Sequence, residues 1–271
     1  MRRALIGWSS KAPTTRCGGW TSIWRRRQGV DVRWVTFDCF GTLVDWQSGF
    51  SALLSPLGGP RTRDLIRAYH DVEPAVEAET PHRSYKDVLA TSVQRAGRQI
   101  GIEITPAQAG ALSESWEMLP VFPDVEPMLA GLRAMGCRLA VLTNCDEDLF
   151  ERTERAFRMP FDLVVTAERV RDYKPAATHF RFFSRTSGVP VADWVHVAAS
   201  WYHDIAPGGD LGLNRVWLDR EGVGENSNVG VPFLDRGARG SLIRVRSGGE
   251  VCAAVAALHN RGERTADVSH Q

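Results

Sequence analysis

The chain has 271 residues, 43% of them hydrophobic, and its 33 basic and 32 acidic side chains nearly cancel. That length holds one large or two small domains, and the charge balance supplies no global field to draw the chain to nucleic acid or a membrane surface. No apolar run reaches spanning length; the five cysteines, odd in number and without CxxC spacing, read as reduced thiols of a cytoplasmic protein rather than a disulfide framework or zinc site.

Residues 1–30 contain no acid, while Arg2, Arg3, Lys11, Arg16 and the run Arg25–Arg27 stand among Trp8, Trp20 and Trp24. With no apolar h-region of signal-peptide length, secretion is not expected; residues 1–32 read as a basic, disordered extension, with a transit peptide as the alternative. A first strand, Arg33–Asp38, is almost continuously apolar and ends on a carboxylate before a Gly-Thr turn. Residues 46–120 then hold three helix-like stretches. Leu65, Tyr69, Val72 and Val76 share a face in the first; Tyr85, Val88, Leu89, Val93 and Ala96 do so in the second; the third runs from Ala107 to Met118. Pro56–Pro60 and Pro120–Pro123 mark the edges of these stretches, which read as an inserted all-helical cap domain.

Strands follow at Arg138–Thr143, Asp162–Thr166, Trp194–Ala199 and Arg215–Leu218, separated by helical patterns at Glu147–Phe157, His179–Ser187 and His203–Leu211; another, Val125–Met135, precedes them. Gly136, Gly188 and Gly212 stand where helix C-caps want glycine. This alternation predicts an α/β fold: a doubly wound, mostly parallel Rossmann-like sheet built from residues 33–45 and 121–220, with the cap over its carboxyl edge. Residues 221–271 read as a loop-rich segment with one short helix, Glu250–His259.

Ligands of such sheets bind beyond the strands' carboxyl ends, and four polar groups fall there: Asp38, Thr143-Asn144, Lys174 and Asp204. Singly each is an ordinary cap or loop residue. Four in this order, with a lid inserted after the first, are hard to assign to capping. Together they resemble the haloacid dehalogenase superfamily over roughly residues 33–220. The resemblance makes Asp38 to Thr42 the nucleophile motif, Thr143 the second-strand hydroxyl, Lys174 the lysine and Asp204 the final acid. It implies an aspartate that forms a covalent ester with substrate, later hydrolysed by water.

Elementary electrostatics fits those roles. Burial under a lid works against an ionised nucleophile, which a Lys174 ammonium can offset; Asp204 can hold that ammonium and orient or deprotonate water. Thr42, Thr143 and Asn144 offer neutral donors to a carboxylate or developing anion. Phe40 stands where phosphatases of the superfamily usually carry a second aspartate as general acid. A phenyl ring donates no proton, whereas halide leaves without one. The resemblance is therefore to the L-2-haloacid dehalogenase branch, which has an aromatic there and implies a cap arginine for the substrate carboxylate or halide; Arg67 is the match by position. Ala199, Trp201 and Phe180 depart from that branch's polar residues, and Tyr202 or His203 can stand in for them. The expected reaction is hydrolytic dehalogenation of a short 2-haloacid with no cofactor. The alternatives are a phosphate-ester hydrolase with Mg²⁺ between Asp38 and Asp204, and a non-catalytic binding protein. The expected partner is a small-molecule substrate, and an apolar cap helix suits a homodimer contact.

Overall fold

A strand covered on both faces is apolar throughout, and this property selects the sheet. The computed structural model describes residues 33–222 and 240–267; the basic segment 1–32 and residues 223–239 and 268–271 lie outside the described residues. Six strands, β1 (Trp34–Phe37), β2 (Arg138–Thr143), β3 (Leu163–Thr166), β4 (Trp194–Ala198), β5 (Asn214–Leu218) and β6 (Leu242–Val245), form one sheet in the order β3-β2-β1-β4-β5-β6. Every neighbouring pair is parallel. Residues alternate between two cores, as the strand period requires. Val35, Phe37, Leu139, Val141, Val195 and Val197 face one; Trp34, Ala140, Leu142, Val165 and Trp194 face the other.

Helices cover both faces. Four of them, α1 (Trp46–Gly58), α2 (Thr62–Glu77), α3 (Tyr85–Gln99) and α4 (Pro106–Glu114), follow β1 as the cap, and α5 (Val125–Ala134) leads back into β2. Next come α6 (Glu147–Glu154), α7 (Ala167–Val170), α8 (Thr178–Ser187), α9 (Ala206–Asp210) and α10 (Gly248–Asp267). The sheet is thus doubly wound, with a helical insertion between its first two strands. No helix among the described residues is long and apolar enough to cross a membrane. Four of the five cysteines are described, and each is free.

Three elements differ from the sequence expectation. First, α1 occupies a stretch read as an edge, and Pro56 lies inside it. Asp45 caps it by accepting the Ser48 N–H at 3.1 Å, and the Ser55 hydroxyl donates to Ala52 O at 3.0 Å, serving the carbonyl that Pro56 cannot. Second, β6 adds a strand in the segment read as loop-rich, and α10 starts earlier and ends later than Glu250–His259; Val251, Ala254 and Leu258 are its buried face, as their spacing indicates. Third, the helix expected from His203 begins with a π-helical turn, Trp201–Ile205, capped by Ser200 Oγ on the His203 N–H at 3.1 Å. That turn carries Asp204 into the interior.

The cap is tied to the sheet through polar groups. The Asp146 carboxylate, after β2, accepts the Tyr85 and Lys86 N–H groups at 2.8 and 3.0 Å, capping α3 from the opposite layer. The Tyr173 hydroxyl donates to Arg83 O at 2.9 Å.

Candidate active site

The sheet order places β1 between β2 and β4, so the chain reverses direction at β1 and opens a crevice at the carboxyl ends of these strands. Asp38 is the first residue beyond β1. The turn after it needs a glycine: Gly41 has φ of +91°, and a Cβ there would meet Trp46 Nε1 at 3.2 Å. The turn brings the Thr42 hydroxyl back to donate to Asp38 Oδ2 at 2.8 Å, while Thr42 Oγ1 accepts the Ala199 N–H at 2.9 Å. Arg220, after β5, holds the turn from behind. Its Nε and Nη2 donate to Thr42 O at 3.2 and 3.0 Å, its two Nη groups pair with Asp124 at 2.9 Å, and it stacks 3.9 Å over Phe122.

Lys174 is 1% exposed and its ammonium donates three times: to Asp38 Oδ1 at 2.8 Å, Leu142 O at 2.8 Å and Asp204 Oδ1 at 2.7 Å. Burial works against the ammonium, but the charges of Asp204 and Asp38 outweigh it and hold the Lys174 pKa above the ordinary lysine value. Asp204 shows the reverse balance. Its burial is overcome by Lys174 and by His196, so its carboxyl lies well below the usual range.

A buried relay supports Asp204. The Trp194 indole donates to Thr36 Oγ1 at 2.8 Å, Thr36 Oγ1 meets His196 Nδ1 at 2.8 Å, and His196 Nε2 meets Asp204 Oδ1 at 3.1 Å. Indole N–H only donates, so Thr36 Oγ1 accepts from Trp194 and keeps a second hydrogen bond for the imidazole. Asp204 Oδ2 is buried with no partner among the described residues.

Asp38, Phe40, Thr143, Asn144, Lys174, His203 and Asp204 line one cavity of about 560 Å³ under the cap. The family model for haloacid dehalogenase-like hydrolases matches residues 32–212. The chain belongs to this family. Haloacetate dehalogenase H-2 of Moraxella sp. (strain B) is 21% identical over 212 residues, covering 74% of this chain and 94% of that protein. (S)-2-haloacid dehalogenase 4A of Burkholderia cepacia is 21% identical over 196 residues, covering 70% and 84%. The solved structure of L-2-haloacid dehalogenase from Xanthobacter autotrophicus superposes with a TM-score of 0.70 at 16% identity, over 83% of this chain and 98% of that one.

Several expected residues of the hydrolase are placed differently. Arg67 projects from the outer face of α2, 69% exposed and 3.6 Å from Asp64, and does not line the cavity. Substitution Arg67→Ala is expected to change kcat/KM by less than about twofold and stability by less than about 0.5 kcal/mol, read by steady-state kinetics and urea melts. A larger loss in kcat/KM would return Arg67 to the site. Asn144 lines the cavity but is committed to structure: its Oδ1 accepts the Lys174 N–H at 2.8 Å, and its Nδ2 donates to Lys174 O at 3.0 Å and to Glu77 Oε1 at 3.2 Å. It positions Lys174 rather than standing ready for substrate. Tyr202 is exposed and cannot replace the missing polar groups. Trp201 packs edge-on to Trp217 at 4.9 Å, and Phe180 packs against His196 at 5.1 Å, so both serve the core.

The wall that α2 presents to the cavity is formed by His70, Glu73 and Glu77, spaced for one helix face. Trp46, Phe50, Tyr85 and Trp116 complete the aromatic lining. Glu73 Oε1 accepts the Tyr69 and Tyr85 hydroxyls at 2.6 and 2.7 Å. Burial and the charge of Glu77 still push the Glu73 carboxyl up to about 7. The folded hydrolase therefore keeps a proton that the unfolded chain releases at about pH 4.3. That contribution to stability is full below the unfolded value and is lost as the pH rises through 7. Glu73→Gln, which cannot ionise, is expected to gain stability over wild type by up to about 3 kcal/mol at pH 8 and little at pH 4. Thermal melts across that range check it; a gain independent of pH would remove the titration of Glu73 as its cause.

His203 sits between the layers. Burial lowers its pKa, but Glu77, whose Oε2 is 3.7 Å from His203 Nε2, outweighs that and raises it overall. Sequence reasoning missed Glu73, Glu77, His70, His196 and Arg220. The signal for His196 was a histidine inside an otherwise apolar strand.

Proposed function

We propose that this hydrolase cleaves a carbon–halogen bond at a saturated carbon of a small organic halide, through an ester on Asp38 and without a metal ion. The observation that carries this reading is Phe40, two residues beyond Asp38. Its ring lines the cavity and packs edge-on to Trp116 at 4.9 Å. A leaving alkoxide needs a proton donor at the reacting bond; a halide does not. Trp116 Nε1, buried with no partner among the described residues, is a donor suited to a departing anion. The dehalogenases to which the chain is similar support the same class of reaction.

In the first step an Asp38 oxygen forms a bond to the halogen-bearing carbon while the carbon–halogen bond breaks, and the electron pair departs on the halide. Lys174 and Thr42 fix the carboxylate plane, so little orientational freedom is lost at attack. In the second step water adds to the Asp38 carboxyl carbon, and the bond from that carbon to the product oxygen then breaks. One water proton, relayed by Asp204, goes to the departing oxygen to give R–OH, and the other is released to solvent as Asp38 returns to carboxylate. The charge that develops on the carboxyl oxygen is met by the Lys174 ammonium or the Thr42 hydroxyl, already at 2.8 Å. Asp204 Oδ2 accepts a hydrogen bond from that water; its low proton affinity suits it to orient the water rather than to keep its proton. The sum is R–X + H₂O → R–OH + X⁻ + H⁺.

Mg²⁺ takes near-octahedral oxygen ligation, mostly from water with one or two carboxylates, and here the two acids at hand already share an ammonium. Lys174 bridges the two acids, and among the described residues no three His, Cys, Asp or Glu side chains converge on one point. No step is routed through a metal. The test is a panel of organic halides, including 2-chloropropionate enantiomers and fluoroacetate, beside phosphate monoesters, each with Mg²⁺ or with chelator. Free halide released equally in both conditions is expected. Phosphate release that requires Mg²⁺, without halide release from any compound, would overturn the proposal.

A further inference from the structure

The charge of the cavity does not suit a second carboxylate. A 2-haloacid would need a cation for its acid group, and the permanent cations lining the cavity among the described residues are committed elsewhere. Lys174 spends all three protons on Asp38, Asp204 and Leu142 O. Arg220 is held by Asp124 and Thr42 O and stacked on Phe122. His70, tilted against Trp46 with ring centroids 4.5 Å apart, is held below the ordinary histidine pKa by burial. His203, whose pKa Glu77 raises, is paired with that carboxylate at 3.7 Å.

The cap supplies the opposite sign. Glu77 has a side chain only 7% exposed; its Oε1 accepts from Asn144 Nδ2, and its Oε2 lies 3.7 Å from His203 Nε2. Glu73 receives both tyrosine hydroxyls on Oε1, and its Oε2 makes no hydrogen bond among the described residues. The two carboxylates lie one helical turn apart on α2 and share a cavity with Trp46, Phe50 and Trp116. Buried carboxylates flanked by aromatic faces favour a cation, which gains charge-assisted hydrogen bonds from the first and cation–π attraction from the second. Burial and the charge of Glu77 raise the proton affinity of Glu73, and a cation beside the pair would offset both.

We propose that the substrate carries a cationic nitrogen, an alkylammonium group that docks on Glu73 and Glu77 while Asp38 attacks its halogen-bearing carbon. The substrate class is a haloalkylamine, not a haloacid. This rests on the dehalogenation reading above, and it assigns Glu73 and Glu77 as the residues that set specificity. The cavity is also larger than a two- or three-carbon haloacid fills.

The test compares halide release by the full chain from 3-bromopropylammonium, 3-bromopropionate and neutral 3-bromopropanol. Expected is a kcat/KM for the ammonium compound at least about tenfold above that for the carboxylate. The Glu73→Gln/Glu77→Gln variant should lose that preference through KM, its ratio of ammonium to carboxylate kcat/KM falling toward one. A second measurement, calorimetric binding of unreactive n-propylammonium and propionate to Asp38→Asn protein, reads the charge preference without chemistry. Halide release that favours the carboxylate, or no preference for propylammonium in binding, overturns this inference and leaves dehalogenation standing. Selective propylammonium binding with no halide released from any compound upholds the charge assignment and overturns the reaction.

Discussion

Asp38→Asn is expected to lower turnover by about 10⁴-fold or more, with the fold intact. The amide keeps the shape of the side chain and an oxygen that can accept from Lys174, while Asp204, 2.7 Å from Nζ, continues to hold the ammonium. What is lost is the charge and lone-pair donation that displace the leaving group. A companion measurement separates covalent catalysis from activation of water. In a single turnover of wild type in H₂¹⁸O, the label must enter Asp38, because water attacks the carboxyl carbon and the product takes its oxygen from the aspartate. Label in the product of the first turnover would mean direct attack by water, and the ester would have to be abandoned. Retained turnover by the asparagine variant, with no deamidation seen by mass spectrometry, would do the same.

The parts of this site legible in the sequence share one property: each is fixed by the end of a strand. Asp38, Thr143 and Asp204 follow apolar runs whose extent sets where the chain leaves the sheet, and the doubly wound order brings those ends together. Arg67 failed for a geometric reason. Successive helical residues turn by about 100°, so Arg67 lies about 200° from Leu65 and points away from the stripe of Leu65, Tyr69, Val72 and Val76. His70, Glu73 and Glu77 each follow a residue of that stripe by one position, which sets them on its edge, where a cap helix meets the cavity. That reading was available once the stripe was drawn. Arg220 was not: its partners Asp124 and Thr42 are 96 and 178 positions away, and nothing local marks an arginine after β5 as a brace for the nucleophile's turn. The relay is intermediate. Thr36 and His196 face each other in the β1–β4 register, so pairing the two strands would have suggested it, but strand order is a tertiary fact.

Lys174→Met is the substitution expected to cost most in stability, and it lowers activity too. Lys174 is the positive centre between two acids, and Asp204 is fully buried. Its removal leaves Asp38 with Thr42 and Asp204 with His196, each too weak to offset a buried charge. A loss of about 3–5 kcal/mol at pH 7.5 follows from stranding one half of a buried ion pair. The pH dependence carries the sign of the argument. In wild type, the lowered Asp204 pKa contributes stability that is present above the unfolded value of about 3.9 and lost as the pH falls through the folded value. Without the ammonium, burial dominates and the carboxyls of the variant titrate high, so acidification relieves it. Urea melts should therefore show a deficit that narrows between pH 7.5 and pH 4.5. Adding Asp204→Asn to the methionine variant should recover part of the stability while turnover stays at least about 10³-fold down, because only one of the stranded charges has been removed. If the double variant is no more stable than the single one, lost packing around the lysine stem, and not the unpaired charge, accounts for the loss.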